Sequence, residues 1–313
     1  MMDKTAELIE RLCDCWCCAS FKPDGSQVMD QASESYRLES NGIKINELNH
    51  DALCAAIVGL SKTLLGPRYN CSIVHEHFIL WAWCGELVIN SEPSIFQKTP
   101  YEPIEQLYRA TLHAALAHCN TPSQSMEEYL TARAIAEKQS PHANCLINKS
   151  TLILAYLSFP LLESTLKRAC QSYIRLDGKV VSDFFVPNKK NPSQPRKYQR
   201  SQRCSNLGDL LFLYKAKVAE HKYVILLDQL RLHLQHLDAT QDPFDLIFSW
   251  RNQSLHGETT YQTVGGLLLN LSLLISISEI EKDFENRKKI RNERCQWWAT
   301  QPEKNSYLFF PPR

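Results

Sequence analysis

Apolar residues along this chain recur mostly at intervals of three and four, the spacing of helices with one buried face. Leu8, Ile9, Leu12 and Trp16 mark a first helix over 3–19. A polar stretch from Lys22 to about Asn46 follows, with turn residues at Pro23-Asp24-Gly25 and Asn41-Gly42 and room for a short strand or two that the pattern does not place. Asn49 or Asp51 then caps a helix that runs to Leu65 and is closed by Gly66-Pro67. Further helices are predicted at 71–89, 102–119 and 124–138, the second with Pro103 in its first turn, where a missing N–H costs nothing.

Ser140-Pro141 interrupts this run. The chain is again strongly helical and apolar over 143–174, with a kink expected at Pro160. Between 175 and 203 the composition changes to eight Lys or Arg against Asp177 and Asp183, and the centre, 188–202, reads as an exposed and partly disordered loop. Helical spacing resumes over 206–236, Asp242-Pro243 opens a shorter helix, and a last long helix is predicted over about 260–290, laced by Asp283–Arg287 and Glu285–Lys289 pairs. The tail from Trp297 to Pro312 is aromatic and proline-rich, suited to docking on the bundle or on a partner. The expected fold is all-α: an N-terminal helical domain over 1–140, then an up-and-down helical bundle over 141–313 with a basic insertion at 175–206.

Composition narrows the class. Apolar residues at 44% and charged residues at 22% are globular values, and a formal charge of +1 means any nucleic-acid affinity must come from a local patch. The twelve cysteines are scattered, several within helical apolar spacing, which fits free thiols in a reducing compartment. The charged opening Met1-Met2-Asp3-Lys4 shows no signal peptide, and the longest apolar run, Val264–Ile277, is interrupted by Asn270, Ser272 and Ser276 and is too short to span a bilayer. A cytoplasmic protein without a membrane partner is expected.

One segment carries chemistry: Trp250-Arg251-Asn252-Gln253-Ser254-Leu255-His256-Gly257. Arg251, the polar Asn252 directly after it and His256 a few positions on resemble the hallmark of the HEPN superfamily, with Gly257 ending the helix as its left-handed cap. The likeness extends to Ala155–Glu163, similar to an early HEPN helix, and to Leu207-Gly208-Asp209-Leu210-Leu211, similar to the start of the helix before the motif. It covers about 142–290, less the insertion. The resemblance implies a metal-independent endoribonuclease that works at a dimer interface, often a regulated toxin or antiviral defence effector with a regulatory protein partner. HEPN toxins controlled by tyrosine modification carry a tyrosine two residues after the histidine; Glu258 stands there in this chain, which puts that route in doubt.

The residue types fit that chemistry independently. RNA is cut without metal or cofactor if its 2′-OH is deprotonated and the developing phosphorane charge is stabilised. Histidine shuttles protons near neutral pH, and the arginine fork suits phosphate oxygens. On a helix Asn252 and His256 share a face, whereas Arg251 and His256 diverge by roughly 140°, so a homodimer or higher even-numbered assembly facing two motif helices across a groove would converge them. Lys189, Lys190, Arg196, Lys197, Arg200 and Arg203 of the insertion are candidate RNA-backbone ligands, with Tyr198 available for base stacking; the plainer reading is a solvated loop. The alternative for the whole site is a non-catalytic HEPN module that binds RNA, nucleotide or protein. Cys13, Cys15, Cys17 and Cys18 lie in a helix without a second metal-binding half and read as packing, as do His75 and His77. With no carboxylate cluster in the sequence near Arg251, a two-metal nuclease is disfavoured.

Overall fold

The computed structural model describes residues 3–19, 34–65, 73–96, 100–117, 127, 130, 142, 146–147, 149–188, 193–256, 264–300 and 308–312. The described residues are mostly helical, as expected, and the helix ends follow local chemistry. Helix α1 (Lys4–Ala19) begins after Asp3, whose Oδ1 accepts the Thr5 N–H at 3.1 Å. Helix α2 (His50–Thr63) is capped by Asn49, whose Oδ1 accepts the Ala52 N–H at 2.9 Å. Helices α3 (His75–Val88), α4 (Glu102–Leu116) and α5 (Ser150–Ala169) follow. After a small sheet come α6 (Leu207–Leu213), α7 (His221–Leu237), α8 (Pro243–Leu255), α9 (Gly265–Glu279) and α10 (Phe284–Ala299).

Two helices are apolar on every side and therefore central. Every residue of α2 except Asp51 is buried, and so is α9 from Gly265 through Ile277. Helix α9 packs against α5, α2 and α3; α1 and α7 lie on α2, α4 on α5, α10 on α3, and α6 on α8. At Gly265 the α5 and α9 backbones nearly touch: an added Cβ would stand 2.7 Å from the Ala155 nitrogen, so only glycine fits the crossing. The polar interruptions of the long apolar run are themselves core contacts. Asn270 Oδ1 accepts the Trp81 Nε1–H at 2.7 Å, its Nδ2 donates to Ser61 Oγ at 3.0 Å, and Ser276 Oγ meets the Tyr108 hydroxyl at 3.1 Å. These bonds cross position 140, and buried residues from Ala6 to Phe309 form one continuous core. The interruption at Ser140-Pro141 therefore does not separate two cores. No helix among the described residues is long and apolar enough to cross a membrane.

Several boundaries differ from the sequence expectation. The 206–236 stretch is not one helix: α6 passes into a π-turn at Tyr214–Val218, and extended backbone at Ala219 and Glu220 separates it from α7. The 260–290 stretch is divided by a 3-10 turn at Glu281–Asp283. There Arg287 pairs with Asp283 at 3.0 Å as expected, while Glu285 takes Lys288 at 2.6 Å rather than Lys289. Helix α5 continues through Pro160, which lies on its exposed side. Among the described residues 34–46 there is no strand, and 3-10 turns stand at Glu39–Asn41 and Ile45–Glu47. Most of the expected 124–138 helix lies outside the described residues. The aromatic tail docks on the bundle: Phe309 is buried and donates its N–H to the buried Glu86 Oε1 at 2.5 Å.

The basic insertion is the main correction. It is an antiparallel hairpin, β1 (Phe184–Val186) against β2 (Arg196–Tyr198), extended by isolated pairs Ile174–Val180 and Lys179–Arg203. Phe184, Val186 and Tyr198 turn inward and are buried, so alternation over three residues, too short to register as a pattern, anchors the segment to the core.

Candidate active site

Helix α8 is fixed at both ends. At its start Asp242 Oδ1 accepts the Phe244 N–H at 2.9 Å, with Pro243 in the first turn. Phe244, Leu246, Ile247 and Trp250 face the core. Arg251 and Asn252 are consequently carried to the partly open side. His256 is the residue just past the helix; its backbone N–H donates to the Asn252 carbonyl at 3.0 Å and its ring is exposed. The expected cap Gly257 lies outside the described residues, as does Glu258.

Helix α5 supports this end of α8 through one face. Tyr156 donates its hydroxyl to the Ser254 carbonyl at 3.1 Å. One turn pair further along, Glu163 Oε2 accepts from Arg251 Nη2 at 3.1 Å while its Oε1 accepts from Lys167 Nζ at 2.8 Å. Arg251 Nη1 lies a long 3.5 Å from Asn252 Oδ1. Arg251 thus spends part of its fork on a carboxylate and keeps donors free, its side chain 26% exposed. The structure brings Arg251 and Asn252 together. Among the described residues the His256 ring has no hydrogen-bond partner, so one chain does not join it to Arg251. Glu163, Lys167 and Tyr156 were missed as site residues, although Tyr156 and Glu163 lie in the Ala155–Glu163 segment singled out above; the signal for their pairing is the Glu163–Lys167 spacing of four.

The candidate RNA ligands of the insertion divide. Lys189 and Lys190 lie outside the described residues. Arg196 is paired with the buried Asp209 at 3.1 Å and lies over the Tyr198 ring, and Lys197 pairs with Asp183 at 3.2 Å. Arg200 donates its backbone N–H to Asp183 Oδ1 at 2.8 Å; together with Lys197 this holds the Asp183 carboxyl below its usual range. Arg200 and Arg203 have exposed side chains. Tyr198 is not available for base stacking: it is buried, stacked on Phe184 at 4.9 Å and bonded to Asp209 Oδ2 at 2.6 Å, and burial raises its pKa.

Other candidates resolve structurally. Cys13 and Cys17 are free thiols, raised by burial, Cys17 to about 12. His77 is buried, its Nδ1 accepting the Val74 N–H at 3.1 Å and its Nε2 facing Thr63 Oγ1 at 3.0 Å. His50, Asp51 and Glu281 place ligand atoms close together, a cluster the sequence did not reveal, but Lys222 bridges both carboxylates and already supplies the cation. A cavity of about 420 Å³ between α3, α4 and α10, lined by Asn90, Arg109, Arg291 and Trp298 among others, contains no motif residue. Compared with protein-family models, curated proteins and solved structures, the chain matches none.

Proposed function

We propose that this chain is a metal-independent endoribonuclease of HEPN type. The observation that carries the reading is the end of α8, where a partly exposed, carboxylate-anchored Arg251 and an adjacent Asn252 lie on the helix and an exposed His256 stands just past it, all open to solvent. An open face suits a polymer better than the enclosed pockets that take small substrates. In this reading His256 removes the 2′-OH proton, O2′ attacks the adjacent phosphorus, the P–O5′ bond breaks, and the protonated imidazole gives its proton to the leaving O5′. A cyclic 2′,3′-phosphate and a 5′-hydroxyl result. Arg251 stabilises charge on the non-bridging oxygens, and Asn252 orients the phosphate or the imidazole. Because Arg251 and His256 are not joined within one chain, two copies facing across a groove complete the site, one copy's arginine serving the other's histidine. Regulation as a toxin or defence effector, with a protein partner, belongs to the same proposal.

That separation also favours the second reading, a non-catalytic module that binds RNA, nucleotide or protein. Incubation of the purified chain with mixed RNA in EDTA distinguishes them. Cleavage that survives chelation, spares DNA and is lost in both His256→Ala and Arg251→Lys supports the enzyme, since an ammonium cannot make the forked contact. Cleavage abolished by EDTA and restored by manganese refutes the mechanism.

A further inference from the structure

The basic hairpin touches the ion network of the motif. Lys167, which shares Glu163 with Arg251, reaches a turn at Arg175–Lys179: a Cβ on Gly178 would lie 3.7 Å from Lys167 Nζ. In that turn the Arg175 N–H donates to the Lys179 carbonyl and the Gly178 N–H to the Arg175 carbonyl, each at 2.9 Å. Gly178 takes φ +84°, the left-handed region that closes a three-residue hairpin loop. An added side chain there would also stand 3.0 Å from the Cys204 carbonyl.

The outgoing strand of this turn sets Lys179 directly opposite Arg203 in an antiparallel pair. Like charges in that position destabilise a ladder. Arg175, Lys179 and Arg203 are all exposed, and among the described residues no carboxylate pairs with any of them. Asp177, the acidic residue of the turn, is engaged by the Lys179 backbone N–H at 2.9 Å. At the other end of the hairpin Arg196 and Lys197 have acidic partners, Asp209 and Asp183. Three cations against the single carboxylate of Asp177 leave a net positive charge at the base of the hairpin, beside Lys167, whereas each cation of β2 has an acidic partner.

We propose that Arg175, Lys179 and Arg203 form a phosphate-binding edge that holds the RNA strand where it runs to or from Arg251. This rests on the ribonuclease reading and assigns its substrate track. A polyanionic backbone relieves the Lys179–Arg203 repulsion, and Lys167, held by Glu163 beside Gly178, stands between the edge and Arg251.

The test uses the full chain carrying His256→Ala, so that RNA binds without being cut, and fluorescence anisotropy with a labelled unstructured RNA across a salt series. Lys179→Gln with Arg203→Gln is expected to weaken binding about tenfold and to lower the log–log salt slope by about 1.4, from about 0.7 per lost single-strand contact. Arg175→Gln, made alone, is expected to lower the slope by about half that amount. Lys197→Gln is expected to change neither. Because the substituted side chains are exposed and without ion pairs, melting temperatures should be unchanged or slightly higher. RNA binding by the parent with an unaltered slope in the double variant overturns the edge and leaves the ribonuclease reading standing. No RNA binding by the parent and no cleavage by the unmodified chain overturn that reading, and the edge with it.

Discussion

Replacing Glu163 by glutamine removes the one carboxylate that Arg251 and Lys167 share while keeping the side-chain shape. The three side chains are 15%, 26% and 12% exposed for Glu163, Arg251 and Lys167, so solvent screens the network only in part. A hydrogen bond to a charged group contributes about 1.5–3 kcal/mol and an exposed ion pair about 0–1 kcal/mol. Glutamine retains one accepting oxygen and turns an NH2 towards the other cation. Partial screening and one retained acceptor place the net loss at about 2 kcal/mol, which in a chain of this length lowers the melting midpoint by roughly 3 °C.

The same substitution removes the anchor of the guanidinium. Misplacement of a catalytic group by about 1 Å costs on the order of a hundredfold, so Glu163→Gln is expected to lower kcat by about that factor with a smaller change in KM. Glu163→Asp, which keeps the charge on a shorter stem, should recover part of both effects. Urea unfolding gives the stability and cleavage of a fluorophore–quencher RNA gives the rate. Unchanged stability together with wild-type turnover would refute the positioning role. A rise in turnover would refute it in the opposite sense, making Glu163 a competitor of the phosphate for Arg251.

Burial lowers His77 to about 4, below its ordinary value, so as pH falls the unfolded chain takes up this proton first. The group's contribution is complete above about pH 6.5 and is lost as pH falls towards 4, amounting to about 3 kcal/mol. His77→Gln should flatten the pH dependence of the unfolding free energy in that window, and an unaltered slope would assign it to other groups. For assembly, light scattering and specific activity measured together over a dilution series should fall in parallel; a stable monomer with full specific activity would rule out the composite site.

Much of the helical framework was legible from local signals. The Asn49 cap, the Asp242-Pro243 helix start and the apolar run later seen as α9 each depend on residues within a few positions of one another, and helix period and capping are local physics. That Arg251 and Asn252 sit near the end of one helix was equally readable, whereas His256, expected in the last turn before a Gly257 cap, stands just past the helix. Only the tertiary structure decided what holds them: Glu163 meets Arg251 across 88 positions and Trp81 meets Asn270 across 189, and no spacing rule reaches so far. The hairpin stayed hidden for a related reason. Its strands are three residues long and are stabilised by partners and by burial against α6, and its one local signal, Asp177-Gly178 between Ile174 and Val180, is shared by many turns. Local chemistry determines which segments coil; which charges end up neutralised, and which stay free to meet a polyanion, is determined by distant segments packing together.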